Sequence, residues 1–276
     1  MKTWALIVDT WREALARYTL LGFLAVSSLF LLILAFALNL DIVDGALAAG
    51  TLFGKSFDLA RRNTSIDTVV VTGQSVFAGI LYVLGVFLSV FATGSQVPNL
   101  QHRGTVDLYV TRPIGRTHLI LGRFLGAATL VMANLLFLCG GVFVIISLKT
   151  HVWNARFLAA SGLILAVFLS YLGFMYLIGV LTSSTSLSIM LPYALYVLSL
   201  PLAAHNRVAA AMDSQVAAAV VHGLYWIFPK TAEIGRDLTA YVLGKATPEL
   251  VPLATTAAFG AVCLAAAVVA FNRKSF

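Results

Sequence analysis

Long apolar runs alternate with short polar segments along this chain. Six of the runs approach or exceed the roughly 20 residues that a helix needs to cross a bilayer. They are Tyr18–Leu40, Val76–Val97, Phe124–Leu148, Phe157–Leu181, Leu187–Ala204 and Leu250–Phe271. Hydrocarbon offers no water to backbone N–H and C=O groups, so each run is expected to be helical. The fifth is the shortest and carries Pro192 and Pro201, which predicts a kink or a break. Only Lys149–Arg156 separates the third run from the fourth, which predicts a tight hairpin.

Two shorter apolar pieces do not span. Near the N-terminus, Trp4, Ile7, Val8, Trp11, Leu15 and Tyr18 recur at three- and four-residue spacing. On a helix they form one stripe, with Asp9, Glu13 and Arg17 away from it. Leu6 falls on the polar side and spoils the pattern. With Trp4, Trp11, Arg12 and Arg17, such a helix over residues 1–17 suits a membrane interface. Asp9, Arg12 and Glu13 also interrupt any early apolar core, so no cleavable signal peptide is expected. The second piece, Val208–Phe228, is alanine-rich but carries Asp213, Gln215 and His222. It predicts a helix at the outer surface or dipping partly in, not a seventh span.

Composition sharpens this picture. The 276 residues are 60% hydrophobic and 11% charged, against about 25% charged in a soluble domain. The expected fold class is therefore all-α: one polytopic membrane domain over 1–276 with six transmembrane helices. Cys139 and Cys263 sit inside apolar runs and read as packing residues. The net charge of +7 lies mostly on arginines near span ends, which suits topology signalling and anionic lipid rather than nucleic acid. Lysines and arginines divide evenly between the two sets of connecting segments. The segments sharing a side with both ends are shorter and so denser in charge, which favours both termini in the cytoplasm.

The six cores contain no Asp, Glu, Lys, Arg or His. Proton-coupled carriers, pumps with an intramembrane carboxylate and voltage sensors place such groups there despite a cost of about 2.5–3.5 kcal/mol each. Their absence predicts that energy for any transport comes from a partner outside the bilayer. Asn134, Ser170 and Tyr171 are expected to make interhelical hydrogen bonds.

Three local motifs suggest chemistry and fail on context. Ala49–Ser56 fits a loose phosphate-loop pattern ending in Gly54-Lys55-Ser56, but nothing around it supplies the required strand and helix. Ala159-Ala160-Ser161-Gly162 resembles the serine of rhomboid intramembrane proteases. The nucleophile needs a base, and the downstream histidines, His205 and His222, lie outside the spans. Gly122-Arg123-Phe124-Leu125-Gly126 is a Gly-x-x-x-Gly at a span start, expected to serve close helix packing within the chain.

The polar island Gln101–Arg116, between the second and third spans, is the exception to the apolar text. Pro98 is expected to end the second span. Gln101–Val110 predicts a short helix with Val106, Tyr109 and Val110 on one side and Arg103 and Asp107 on another. Arg112-Pro113 breaks the chain again, and Thr117 is a candidate cap for the third span. A loop that needs only charge has no use for a helix between two breaks.

This island resembles the signature region of permease subunits of type-2 export-family ABC transporters. The resemblance rests on Gly104-Thr105, on Asp107-Leu108-Tyr109-Val110 and on Pro113-Ile114-Gly115-Arg116. Gly122–Gly126 looks like that family's lead-in to the third span, residues 1–17 like its elbow helix, and Phe271–Phe276 like its basic C-terminal end. The resemblance covers the whole chain in layout and is specific over Val97–Gly126. His102-Arg103 departs from it, standing where many members carry an acid.

The resemblance implies a coupling helix within a cytoplasmic loop, 98–117. Gln101, Arg103, Gly104, Thr105, Asp107, Leu108, Tyr109, Arg112, Pro113 and Arg116 would contact an ATPase subunit. It further implies a homodimer of permease chains in a bacterial inner membrane, paired with that ATPase. ATP and Mg would be bound by the partner, with no cofactor and no enzymatic activity in this chain. A mechanotransmitting subunit serving a periplasmic partner is the variant reading. The outer loop 205–249 is expected to carry interfacial or re-entrant helices, with Trp226, Phe228 and Pro229 as a candidate outer gate.

Overall fold

A computed structural model describes residues 2–43, 46–52, 55–57, 66–100, 115–210 and 215–274. Six of its helices are long and apolar enough to cross a membrane, so the chain is a multi-pass membrane protein. They are α2 (Thr19–Ala37), α3 (Ile66–Thr93), α5 (Arg116–Thr150), α6 (Ala155–Thr182), α7 (Thr185–Leu202) and α11 (Leu250–Arg273). Shorter helices accompany them: α1 (Lys2–Ala16), α4 (Gln96–Leu100), α8 (His205–Ala210), α9 (Gln215–Ile227) and α10 (Thr231–Val242). The hairpin between α5 and α6 is as tight as the sequence predicts. His151 adopts φ 59° to end α5, and the Asn154 side chain accepts from the Arg156 amide to open α6.

Two helices start earlier than their apolar runs. Gln74 and Ser75 sit inside α3, so the run read from Val76 begins too late. Ser75 Oγ donates to the Thr72 carbonyl (2.7 Å), and Gln74 Oε1 accepts from Asn154 Nδ2 across the bundle (3.0 Å), while the buried Gln74 Nε2 has no partner among the described residues. In α5, Arg123 is neutralised by carboxylates rather than left to solvent. The expected break at the prolines of α7 does not occur. The helix runs on through Pro192, and Pro201 falls in its last turn.

At the centre stands α6, apolar all round and enclosed accordingly. Phe157, Ile164, Phe168, Tyr171, Leu172, Met175 and Tyr176 are all buried. Its tightest neighbour is α11. A Cβ at Gly173 would lie 2.3 Å from the Gly260 carbonyl oxygen, and one at Gly260 would lie 2.4 Å from Ser170 Cα. Small residues let the two backbones touch, the usual way that helices gain dispersion contact where lipid removes the hydrophobic drive. By contrast Leu29, Leu32 and Phe36 of α2 and Met190 and Val197 of α7 face outward, where apolar side chains suit lipid.

The N-terminal helix inverts the simplest reading of its stripe. Leu6, Thr10 and Ala14, four residues apart, form its buried edge, while Trp4 is 69% exposed and Leu15 and Tyr18 also face out. Leu6 therefore does not spoil the pattern; it marks the protein-facing side. Of the apolar stripe, Trp4, Leu15 and Tyr18 face the surroundings, while Trp11 packs against the core. Leu6 and Thr10 sit against Gly122 and Gly126, where an added Cβ would come within 2.5 Å and 2.4 Å of them. The Gly-x-x-x-Gly thus serves intrachain packing, as expected.

The first connecting segment, unassigned from sequence, forms an antiparallel meander of β1 (Leu38–Val43), β2 (Ala46–Leu52) and β3 (Lys55–Phe57). Thr51 pairs with Ser56 and Leu52 with Lys55. A phosphate loop would need Lys55 and Ser56 to open a helix; here they lie in a strand.

Candidate functional site

At the end of the bundle that holds α1, two elements frame the polar island. On one side the second span stops at a turn, Gly94-Ser95, and resumes as α4. The break thus lies at Gly94-Ser95, not at Pro98. Proline near the start of a helix costs little, because its missing N–H would be unpaired there anyway. A Cβ at Gly94 would overlap Ile189 of α7, so only glycine fits this crossing. On the other side Gly115, in extended geometry, precedes α5 with no side-chain cap. Thr117 does not cap the helix as expected; its Oγ1 accepts from Asn272 Nδ2 (3.0 Å). Gln101, Arg103, Gly104, Thr105, Asp107, Leu108, Tyr109, Arg112 and Pro113 lie outside the described residues.

The base of the island is fastened at three points. Arg116 Nη1 donates to the carbonyls of Lys274 (2.7 Å) and Asn272 (3.3 Å). Lys274 Nζ in turn donates to the Val180 carbonyl and to Ser183 Oγ, both at 3.0 Å. These bonds join the start of α5, the end of α11 and the α6–α7 turn, where Ser183 adopts φ 53°. Two turns into α5, the Arg123 side chain is 3% exposed. It pairs with Asp9 (2.9 Å) and with Glu13 of α1. Arg17 Nε also reaches Glu13 (3.1 Å), and Trp11 Nε1 donates to Thr129 Oγ1 (3.2 Å). Arg12 and Arg17 are exposed at this end. Beside them a cleft of about 280 Å³, open to its surroundings, is lined by Glu13, Arg17, Ser95, Gln96 and Asn99.

Sequence reading placed Arg123 among surface arginines that fix topology. The structure makes it the buried centre of an ion triad between α1 and α5. The signal was present in Asp9 and Glu13, one turn apart on the side facing away from the apolar stripe.

At the opposite end, α9 and α10 form a helical pair whose joint, Phe228–Lys230, enters the bundle. Thr231 is fully buried. Its carbonyl accepts from Tyr82 Oη of α3 (2.6 Å), and its hydroxyl meets Ser199 Oγ of α7 (2.6 Å) and Tyr171 Oη of α6 (3.4 Å). Tyr171 lies 16 residues past Ala155, the first residue of α6, or ~24 Å along the axis at 1.5 Å per residue. The joint of the pair thus reaches deep into the helical bundle. Replacing Thr231 with valine keeps the shape and removes the hydroxyl. Loss of about 1–3 kcal/mol is expected, the cost of stranding buried polar groups, read as a lowered melting midpoint in detergent. An unchanged midpoint would count against this hub.

The candidate gate residues lie around the same joint. Trp226 is exposed, Pro229 is buried, and Phe228 packs partly against Phe259 of α11, ring centroids 6.5 Å apart. The residue that sequence reading missed is Lys230, only 4% exposed. Its Nζ lies 4.4 Å and 4.3 Å from the ring centroids of Tyr225 and Trp226 and donates to Thr255 Oγ1 (3.1 Å). Burial pulls the lysine below its ordinary pKa, with the charge of Glu233 opposing.

Hydrolytic chemistry finds no support in this arrangement. Ser161 Oγ donates to the Leu158 carbonyl of its own helix (2.7 Å). His205 instead stacks on Tyr225 (3.7 Å), with His222 edge-on at 5.2 Å. Gly162 marks no close helix packing: a Cβ there would meet nothing within 4 Å. Among the described residues no group of three His, Cys, Asp or Glu converges to hold a metal. In comparisons with known proteins, no protein-family model and no curated protein sequence matches this chain.

Proposed function

We propose that this chain is the membrane-spanning permease subunit of an ATP-driven ABC transporter of the type-2 export class. The observation that carries the reading is the island itself. Gly104-Thr105, Asp107–Val110 and Pro113–Arg116 stand between the second and third of six spans. In this reading Gln101–Val110 forms a coupling helix seated in a cytoplasmic ATPase, which binds ATP and Mg. Two copies of the chain pair in a bacterial inner membrane with both ends in the cytoplasm, and α1 is the elbow helix. Closure of two ATPases pushes on the loop, and the push passes into the spans.

The framing contacts support this role, because a lever transmits force only from a stiff base. Arg116 is tied to Asn272 and Lys274, and Arg123 to Asp9 and Glu13. Span cores without ionisable groups fit a machine powered from outside the bilayer. Their apolar lining suits a hydrophobic or amphipathic cargo.

Co-purification from native membranes tests the class: a cytoplasmic ATPase is expected to accompany the chain, and its absence would sink the reading. Asp107→Ala should weaken ATPase docking about tenfold, the scale of one charged interface contact, while leaving membrane insertion unchanged. Gly104→Leu and Arg116→Ala should lower stimulated ATP turnover similarly. Normal assembly and turnover in all three variants would remove the coupling role.

A further inference from the structure

Lys230 is a buried ammonium that, among the described residues, makes no ion pair with a carboxylate. Among the described residues the ion pairs are Arg17–Glu13, Arg123–Asp9 and Arg123–Glu13, and none involves Lys230. Two ring faces and one hydroxyl replace its water, an incomplete substitute for a counter-ion. An anionic group brought beside Nζ would complete the site.

A second charge limits what that anion can be. Glu233, one turn further on, lines the same cleft as Lys230, about 180 Å³ with its open mouth. Its Oε2 accepts from Tyr225 Oη (3.2 Å). Burial and the Glu233 carboxylate push the tyrosine up to about 12, so it stays a donor. A carboxylate so close repels a purely anionic ligand and attracts an ammonium. Leu202, Ala203, Phe228 and Pro229 supply apolar wall.

We propose that this cleft binds the zwitterionic head group of an amphiphile. Its phosphate would sit beside Lys230, whose Nζ is held by Thr255 Oγ1, its ammonium beside Glu233, and its tail along the apolar wall. The occupant would be a phosphoethanolamine-type lipid or the free head group, which share this chemistry. Binding requires no ATPase, so failure here leaves the coupling role standing, and failure of that role leaves the cleft standing.

Titration calorimetry on the purified full chain in neutral maltoside micelles tests the site. The probes are lauroyl lysophosphatidylethanolamine, lauroyl lysophosphatidic acid and free O-phosphoethanolamine. Wild type is expected to prefer the zwitterionic amphiphile over the acid by about tenfold, one charge contact's worth. Lys230→Met should weaken it at least about tenfold, with Lys230→Arg restoring part of the loss. Glu233→Gln should tighten binding of the acid and erase the preference. Equal binding of O-phosphoethanolamine would support the same head-group chemistry with a soluble source. Equal affinity of wild type for the two amphiphiles, or Lys230→Met binding like wild type, overturns the proposal. Should Lys230→Met not fold, Thr255→Val and Glu233→Gln decide: no change in either overturns it.

Discussion

Arg123→Ala is expected to destabilise the protein by about 3 kcal/mol. Breaking a buried ion pair costs about 3–5 kcal/mol because the partner charge is left stranded. The low end applies because the partners are only partly enclosed: the Asp9 side chain is 48% exposed and that of Glu13 27%. The loss should concentrate at the junction of α1 and α5. Hydrogen exchange over residues 4–16 should rise more than over α10, at the opposite end of the bundle. Asp9→Asn alone should cost about 1 kcal/mol or less, as half-exposed pairs do. Melting of the Arg123→Ala protein at the wild-type midpoint would show that the triad is not holding α1.

Gly260→Val is expected to be the most damaging single change, with Gly173→Val close behind. In both, the new Cβ meets backbone of the facing helix, so no rotamer change relieves the overlap. Overpacking in a close-packed site costs about 1–3 kcal/mol when side chains can shift; here two spans must separate. The expected readout is loss of the monodisperse species in size-exclusion chromatography, not a modest fall in melting midpoint. Gly140→Ala and Gly162→Ala are the controls, since a Cβ at either meets nothing within 4 Å. Each removes helix-interior glycine entropy and should be neutral or stabilising by up to about 1 kcal/mol. Normal elution of Gly260→Val would show that α6 and α11 are not in backbone contact.

The contrast among these glycines shows where sequence reading stops. Spans announce themselves because bilayer thickness imposes a length and a composition together, so the six runs were legible within a few turns of their ends. Which glycine is a contact and which is idle depends on the facing helix. Gly173 and Gly260 look no different in sequence from Gly140 and Gly162. The same holds for charge. Arg123 resembled a topology signal because its partners lie more than 100 positions away, at Asp9 and Glu13. Lys230 was hidden for a related reason: its neighbours Tyr225 and Trp226 were legible as aromatics, but its burial arises from α9 and α10 folding back into the bundle. The island Gln101–Arg116 was the opposite case. Its polarity made it visible in sequence, and the structure describes the frame around it.

The bonds from Arg116 to Asn272 and Lys274 bridge more than 150 positions. The third span leaves the ribosome long before the sixth, so for most of synthesis the island hangs from an open base. It becomes fastened only when α11 arrives and Lys274 reaches the α6–α7 turn. The frame around the island is thus completed last, by the C-terminal end of α11.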